Sequence, residues 1–324
     1  MSWKTVRGRE YLYRKQRGAW KSLGPRSPET EAAHRQFHVG RDRGQDRLAG
    51  LTNRLDAMAP VNRALQLGRM PMIAARVLRA LSGARLIGHV VEVVGTNALF
   101  AYERLAGVQV AGGHPATEDV DLLFDARRSL RLLTSDVAAS GVLGVLKRVD
   151  GSFEIVGRSG FRAANRDGYL VDLIMPAPKD PMRIAPRSRI GSAPTDLRAV
   201  EIAGLAWLVN APKVDATIVD ARGYPLGITV PDPRAFALHK SWLSERPDRD
   251  PIKRQRDAAQ ADLVARLVRT RLPHLSFTDP ALAALPQALR DRAPALAGDA
   301  LAGDALAGEA LATVGRNRRL EPDW

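Results

Sequence analysis

Two aspartates, Asp119 and Asp121, stand two residues apart in the apolar stretch TEDVDLLFD (117–125). Side chains at positions i and i+2 of a β-strand point to the same face, so this spacing predicts two neighbouring carboxylates. Like charges held that close repel each other, and a divalent cation between them relieves the repulsion. Mg²⁺ is the natural candidate, because it takes carboxylate oxygens and fills its other positions with water and phosphate. The alternative is a strand end that carries two solvated acids.

A third aspartate, Asp172, lies in the middle of a second apolar stretch, GYLVDLIMP (168–176). The β-branched and apolar residues around it predict another strand. A carboxylate inside such a strand needs a charged or hydrogen-bonding partner.

The stretch before the paired aspartates predicts a strand, a glycine turn and a helix. IGHVVEVVGTN (87–97) is apolar and β-branched up to Gly95, and TNALFAYERLAG (96–107) has apolar residues at helical spacing. Thr96 or Asn97 is expected to cap this helix. The free N–H groups of a helix that begins after a glycine turn attract phosphate.

These motifs resemble the nucleotidyltransferase fold of the DNA polymerase β-like superfamily. Gly95-Thr96 stands where that family has Gly-Ser, Asp119 and Asp121 match its Asp-x-Asp pair, and Asp172 matches its third acid. The sequence departs from the family in having Thr for Ser and a long insert, residues 106–118.

The resemblance extends over roughly residues 1–270. GTNALFAYE, FRAANRDGYLVDLI and PDPRAFALHKSW are similar to a bacterial branch of the superfamily, itself distantly similar to the nucleotidyltransferase toxins of abortive-infection systems.

The resemblance implies an enzyme that moves a nucleoside monophosphate from an NTP to an acceptor hydroxyl, on RNA or tRNA if the chain is toxin-like. It implies two Mg²⁺ ions, with Mn²⁺ as a substitute, held by Asp119, Asp121 and Asp172. Gly95, Thr96 and Asn97 would then position the phosphates. A toxin-like role would add an antitoxin partner.

Lys240 lies within the mostly apolar helical stretch RAFALHKSWLSER (234–246). Given the resemblance, we interpret it as a cation aimed at the triphosphate, which makes it a further nucleotide-binding residue. The alternative is a lysine whose stem packs in the core while its charge reaches water.

The formal charge is +14, which favours a polyanionic partner such as nucleic acid. Residues 1–50 interleave many cations with Trp3, Tyr11, Tyr13 and Trp20, a mixture that can stack bases and neutralise phosphates. The chain could thus be a non-catalytic nucleic-acid-binding module on the same fold. Equally, the charge could reflect a composition rich in Arg and Ala, with the N-terminal segment lying as an arm across the protein.

The composition also limits compartment and class. The apolar fraction of 45% suffices for real cores, and the absence of cysteine excludes disulfides and thiolate chemistry. We expect a cytoplasmic protein with no membrane partner, since we find neither a signal-peptide pattern nor an apolar run long enough to span a bilayer.

We predict an α+β fold with a small mixed β-sheet core, helices on one side, an N-terminal helical extension and a mostly helical C-terminal domain. The predicted domains are a basic N-terminal extension (1–84), a catalytic core (85–186), a second domain with a β-hairpin (187–275) and a low-complexity tail (276–324). The patterns predict these elements: helices over 28–58, 60–81, 129–147, 198–212, 234–246 and 250–272; a strand over 153–157; and a hairpin around 222–224. His114 is expected to be polar loop surface.

Overall fold

The computed structural model describes residues 1–16, 18–110, 118–127, 135–178, 187–298 and 311–313. The chain divides into two compact units, Met1–Val61 and Asn62–Trp324. His114 and most of the five-residue repeat near the C-terminus lie outside the described residues. Within the described residues, no helix combines the length and apolarity that crossing a membrane requires.

The first unit begins with strands that the sequence analysis did not predict. Strands β1 (Ser2–Val6), β2 (Arg9–Gln16) and β3 (Ala19–Pro25) form an antiparallel meander, and the long helix α1 (Pro28–Ala64) follows. Helix α1 starts as predicted, since the Ser27 hydroxyl accepts a hydrogen bond from the backbone N–H of Thr30. It runs past the expected end near residue 58 and contains Pro60.

The predicted helix over 60–81 is wrong over residues 65–71. Helix α1 ends at Ala64, strand β4 (Gly68–Met70) follows, and only then does α2 (Met72–Gly83) begin. Strand β4 pairs in parallel with residues 219–220, far along the chain. A local apolar pattern does not reveal such a distant partner, which is why the end of α1, strand β4 and α2 were predicted to be one helix.

The core of the second unit alternates strands and helices. Its elements are β5 (Val91–Val94), a 3₁₀ turn (Gly95–Asn97), α3 (Ala98–Ala106), β6 (Val108–Val110), β7 (Asp119–Phe124), α4 (Ser135–Val149), β8 (Glu154–Val156), β9 (Arg162–Ala164) and β10 (Leu170–Pro176). The predicted strand, glycine turn and helix over 87–107 are confirmed. Helix α4 is interrupted at Gly141, whose φ of 65° is left-handed.

A mixed sheet carries the paired aspartates. Strands β5, β7, β10, β9 and β8 lie in that order, and β11 (Val200–Ile202) also pairs with β10. Strands β7 and β10 are parallel, whereas β5 is antiparallel to β7 and β9 is antiparallel to β10. The predicted α+β class with a mixed sheet is confirmed.

The predicted helix over 198–212 is wrong in its first half. Strand β11 continues the sheet beside β10, and α5 (Leu205–Asn210) begins only after Gly204, whose φ of 85° is left-handed. The predicted hairpin is confirmed as β12 (Lys213–Asp220) and β13 (Pro225–Pro231). The two predicted helices that follow are confirmed as α6 (Pro233–Ser244) and α7 (Pro251–Arg271).

The segment after α7 is folded at residues that were predicted to be a low-complexity tail. A 3₁₀ turn (Pro280–Leu282), α8 (Gln287–Arg290) and α9 (Ala293–Ala297) follow, and Leu282, Leu285 and Leu289 are buried in the main core. Strand β14 (Leu311–Thr313) pairs with β6. The folded part of the chain therefore extends beyond residue 276, where the predicted tail begins.

Candidate active site

Alternation along β7 places Asp119 and Asp121 on one face of the sheet. Val120 and Leu122 point the other way and are fully buried in the main core. In the parallel pairing with β10, Asp121 stands directly beside Asp172. The register thus brings the three acids together on neighbouring strands, as the resemblance implied; their part in catalysis stays a prediction.

Gly95 lies against the carboxylate of Asp121. Strand β5 ends at Val94, which pairs with Asp121, and the chain then turns through Gly95 with a φ of 66°. A Cβ at this position would stand 2.1 Å from Asp121 Oδ2. Both the left-handed conformation and the close approach therefore require glycine.

The acids form a strongly negative site. Burial raises the pKa of Asp121 to about 6, and the charges of Asp119 and then Asp172 add to this effect. Lys240 and Arg256 act in the opposite direction and lower that pKa. In the part of the chain that the structure describes, no hydrogen bond reaches the side-chain oxygens of Asp119 or Asp121. Their lone pairs are therefore open to a cation or to water.

Asp172 differs from the other two acids because an arginine holds it. Arg162 Nε lies 2.7 Å from Asp172 Oδ1, and Arg162 Nη2 lies 2.6 Å from Asp172 Oδ2. This two-point ion pair occupies both oxygens of a carboxylate that is only 5% exposed. Asp172 therefore has the partner that a buried acid needs, and the partner is a guanidinium.

Sequence reasoning missed Arg162, although a signal was present. Arg162 lies on β9, opposite Asp172 in the antiparallel pairing with β10. The intervening NRDG (165–168) is rich in turn-forming residues, and Asn165 Oδ1 accepts hydrogen bonds from the backbone N–H groups of Asp167 and Tyr169. A hairpin centred on this turn sets Arg162 across from Asp172.

The side chains of Thr96 and Asn97 are engaged within the protein. Neither caps α3, contrary to the expectation from their types. Asn97 Nδ2 donates instead to the backbone oxygen of Asp119 at 2.7 Å, and Thr96 Oγ1 accepts from Gln260 Nε2 at 3.1 Å. They fix the turn to the carboxylate strand and to α7, which leaves backbone N–H groups as the route by which this turn could meet phosphate.

Lys240 is buried in α6 and paired with an acid. Its Nζ lies 2.6 Å from Oδ1 of Asp257 on α7, and the other carboxylate oxygen is 2.9 Å from Arg249 Nε. Both carboxylate oxygens of Asp257 thus pair with cations that lie outside α7. Burial lowers the pKa of Lys240, while Asp257 and then Asp121 oppose that shift. Lys240 thus pairs with Asp257 in the buried contact between α6 and α7, and its charge also lowers the pKa of Asp121.

The three acids do not form a ready three-ligand metal cage. Across the described ranges, no group of three or more His, Asp and Glu side chains is arranged to hold a metal ion. Arg162 occupies both carboxylate oxygens of Asp172. Asp119 and Asp121 are left as the two acids with open oxygens.

The comparisons agree with the geometry at the level of a family. No curated protein and no solved structure matches the chain. A family described as nucleotidyltransferase matches residues 73–286, a span that includes Gly95, Asp119, Asp121, Asp172 and Lys240. Because this match covers well over half of the sequence, the chain belongs to that nucleotidyltransferase family.

Proposed function

We propose that the protein transfers a nucleoside monophosphate from an NTP to an acceptor hydroxyl. One observation carries the proposal: Asp121 is fixed beside Asp172 by strand register and against Gly95 at the turn into α3. This arrangement sets acids with open oxygens next to a helix start, where phosphate binds favourably. Family membership supports the general nucleotidyltransferase activity.

Asp119 and Asp121 fit a divalent cation. Their side-chain oxygens accept no hydrogen bond within the described part of the chain, and the pKa of Asp121 is raised to about 6 by burial and then by its acidic neighbours. Mg²⁺ commonly uses one or two carboxylates together with substrate phosphates, which suits such a pair. When bound, Mg²⁺ would neutralise triphosphate charge and make the α-phosphorus more electrophilic. Mn²⁺ is expected to substitute.

Asp172 does not fit a second ion while Arg162 holds it. A scheme with two ions needs Asp172 as a shared ligand, yet both of its oxygens accept hydrogen bonds from Arg162. We therefore favour one ion at Asp119 and Asp121, with the Arg162 guanidinium as the fixed positive charge on the other side of the acids. A second ion would require this ion pair to open.

The chain's own residues would position the triphosphate and neutralise its charge. The backbone of the Gly95 turn and the start of α3 would receive the β- and γ-phosphates. Lys240, whose charge lowers the pKa of Asp121, would add positive potential. The acceptor oxygen forms a bond to the α-phosphorus, the bond from that phosphorus to pyrophosphate breaks, and the acceptor proton passes to water.

The direct test incubates the purified full-length chain with each α-labelled NTP, Mg²⁺ and total cellular RNA or protein. We expect label to enter one fraction, and Asp121→Asn to reduce the yield at least a hundredfold, since preorganised charge is worth that much in such sites. Asp262→Asn is the matched control, because Asp262 is an exposed acid on α7 that only faces Arg266 at 3.7 Å.

Equal labelling by both variants would overturn the proposed roles. No labelling with any NTP would favour the non-catalytic, nucleic-acid-binding alternative. Labelling of tRNA would support the toxin-like acceptor that the resemblance implies, and only then would a search for a neutralising antitoxin be warranted.

A further inference from the structure

The sheet of the first unit has two chemically different faces. Residues that pair across neighbouring antiparallel strands share a face, so the register Lys4↔Tyr11, Ser2↔Tyr13 and Lys15↔Trp20 assigns the side chains. We call the face of Lys4, Arg9, Tyr11, Tyr13, Lys15 and Trp20 the open face. It carries three cations, three aromatic rings and no acid.

The opposite face of this sheet packs on α1. Leu12 is fully buried there, and the Trp3 ring centroid lies 5.6 Å from that of His34 on α1. Arg26 lies over Trp3 and pairs with Glu10 and Glu31. The structural contacts of the sheet are therefore concentrated on this face. Glu10, the acid of its strands, is paired with Arg26 there.

The open face remains exposed to solvent. Lys4, Arg9 and Lys15 are exposed, Tyr11 and Tyr13 are half-buried, and Trp20 is 46% exposed. A tryptophan left in water on a strand costs favourable burial unless something covers it. The three cations on this face favour an anionic partner.

The spacing of rings and charge suits a nucleotide. Lys4 Nζ lies 3.9 Å from the Trp20 ring centroid and 5.3 Å from that of Tyr13, so one ammonium stands between two aromatic rings. Single-stranded nucleic acid is complementary to this arrangement, because its bases stack on aromatic rings and its phosphates bind cations. Unpaired bases are most accessible in the loops, bulges and ends of RNA, which proteins recognise by stacking.

We propose that the open face of the N-terminal sheet, residues Lys4, Arg9, Tyr11, Tyr13, Lys15 and Trp20, binds single-stranded RNA through base stacking and phosphate contacts. The excess charge of the segment agrees with this partner, because residues 1–26 contain eight Lys and Arg but only one acid. The site lies outside the residues that match the nucleotidyltransferase family. It stands independently of the proposed reaction, since binding requires neither NTP nor metal.

The test measures fluorescence anisotropy of a labelled 15-nucleotide oligo(U) with the full-length protein, without NTP. We expect Trp20→Ala and Tyr13→Ala each to weaken binding about tenfold or more, the usual loss for one stacked base. Leu48→Ala is the matched control, because Leu48 is an exposed apolar residue of α1 at 65% exposure. Thermal melting of each variant shows whether the sheet is intact.

A second pair of variants tests the phosphate contacts. Lys4→Ala and Lys15→Ala should each flatten the dependence of log Kd on log salt by about 0.7, whereas Arg43→Ala on the exposed side of α1 should not. These lysines keep the test decisive if a ring variant fails to fold, since an exposed lysine contributes little to stability.

Three outcomes would overturn the proposal. Unchanged oligo(U) affinity in the folded ring variants would mean that base stacking does not contribute to binding. Duplex RNA that binds as tightly as oligo(U), and that loses as much affinity in the same variants, would mean that the face binds RNA by charge alone. Preference for oligo(dT) over oligo(U) would assign the face to single-stranded DNA instead. Asp121→Asn should bind oligo(U) like the wild type, so failure of the proposed reaction leaves this result intact.

Discussion

Arg162 grips both carboxylate oxygens of Asp172 from the neighbouring strand, at 2.7 and 2.6 Å. Asp172 in turn stands beside Asp121 in the parallel pairing of β7 with β10. The guanidinium therefore compensates one of the three clustered acids, whereas the side-chain oxygens of Asp119 and Asp121 accept no hydrogen bond within the described residues. This division of labour makes the third acid a structural anchor as well as a part of the site.

Removing one partner of this ion pair should cost more stability than removing both partners. Arg162→Gln leaves a nearly buried carboxylate without its partner, so we expect a loss of about 3 kcal/mol in the free energy of unfolding. Adding Asp172→Asn should restore part of that loss. Urea denaturation of the two single variants and the double variant gives the coupling. Arg166→Gln, an exposed arginine on the nearby turn, is the control and should stay near wild type; an equal loss there would show that the ion pair adds nothing.

The same variant tests the number of ions. With a non-hydrolysable NTP analogue, we expect the wild type to hold one Mn²⁺ at Asp119 and Asp121, because Arg162 occupies Asp172. Arg162→Gln frees that carboxylate and should add a second, weaker ion. Counting free Mn²⁺ by electron paramagnetic resonance during a titration measures this directly. Two ions in the wild type would mean that the ion pair opens when substrate binds.

Asp121 should make the metal-free protein less stable as the pH rises. Its folded-state pKa of about 6 exceeds the ordinary 3.8, so its protonated form is favoured in the folded chain. The resulting stability is complete below about pH 4 and is lost as the pH rises to about 6. Asp121→Asn should therefore match the wild type at pH 4 and exceed it at pH 8 by up to about 3 kcal/mol.

Urea denaturation in EDTA at both pH values measures that difference. Asp262→Asn, which changes an exposed acid, should follow the wild type at each pH. A variant at Asp121 that is less stable at pH 8 would mean that its carboxylate has a structural role.

Gly95 should tolerate no side chain, for a reason that a second glycine isolates. Gly95→Ala and Gly157→Ala both force alanine into left-handed backbone, with φ values of 66° and 79°, which costs about 1–2 kcal/mol. Only at Gly95 would the new Cβ strike Asp121, since nothing lies within 4 Å of the position at Gly157. We expect nucleotidyl transfer to fall about a hundredfold in Gly95→Ala alone, because displacing a positioning group by about 1 Å has that effect. Equal activity in both would remove Gly95 from the site.

The centre of the site could be predicted from the sequence because short stretches of chain identify its residues. The alternation around Asp121 and the glycine turn at Gly95 each follow from a short stretch of chain. The partner of Asp172 required pairing across a hairpin, and the partners of Lys240 and Thr96 required the packing of α7. Such contacts depend on tertiary arrangement, which one sequence does not display.

The strands of the first unit were missed for a different reason. Charged residues crowd β2, and a pattern dense in Lys and Arg resembles a solvated arm more than a sheet. In the structure one face packs on α1, and Leu12 on that face is fully buried. The charged and aromatic residues of the open face therefore obscured the pattern that indicates a half-buried antiparallel sheet.

Lys240 offers the sharpest separation of a structural from a functional role. Its Nζ pairs with Asp257, which has no exposed surface, and its charge lowers the pKa of Asp121. Lys240→Met leaves the buried Asp257 with Arg249 alone, so we expect the free energy of unfolding to fall by about 3 kcal/mol. Adding Asp257→Asn removes the buried carboxylate charge that Arg249 alone compensates and should restore most of that stability, since the half-exposed Arg249 can turn to water.

NTP affinity then distinguishes the two roles. If Lys240 supplies positive potential to the triphosphate, both Lys240→Met and Lys240→Met/Asp257→Asn should bind a fluorescent NTP analogue with Mg²⁺ about tenfold more weakly, because restoring the fold does not restore the charge beside Asp121. Asp257→Asn alone retains the lysine and serves as the control. Recovery of affinity together with stability in the double variant would make Lys240 a core residue whose charge only satisfies Asp257.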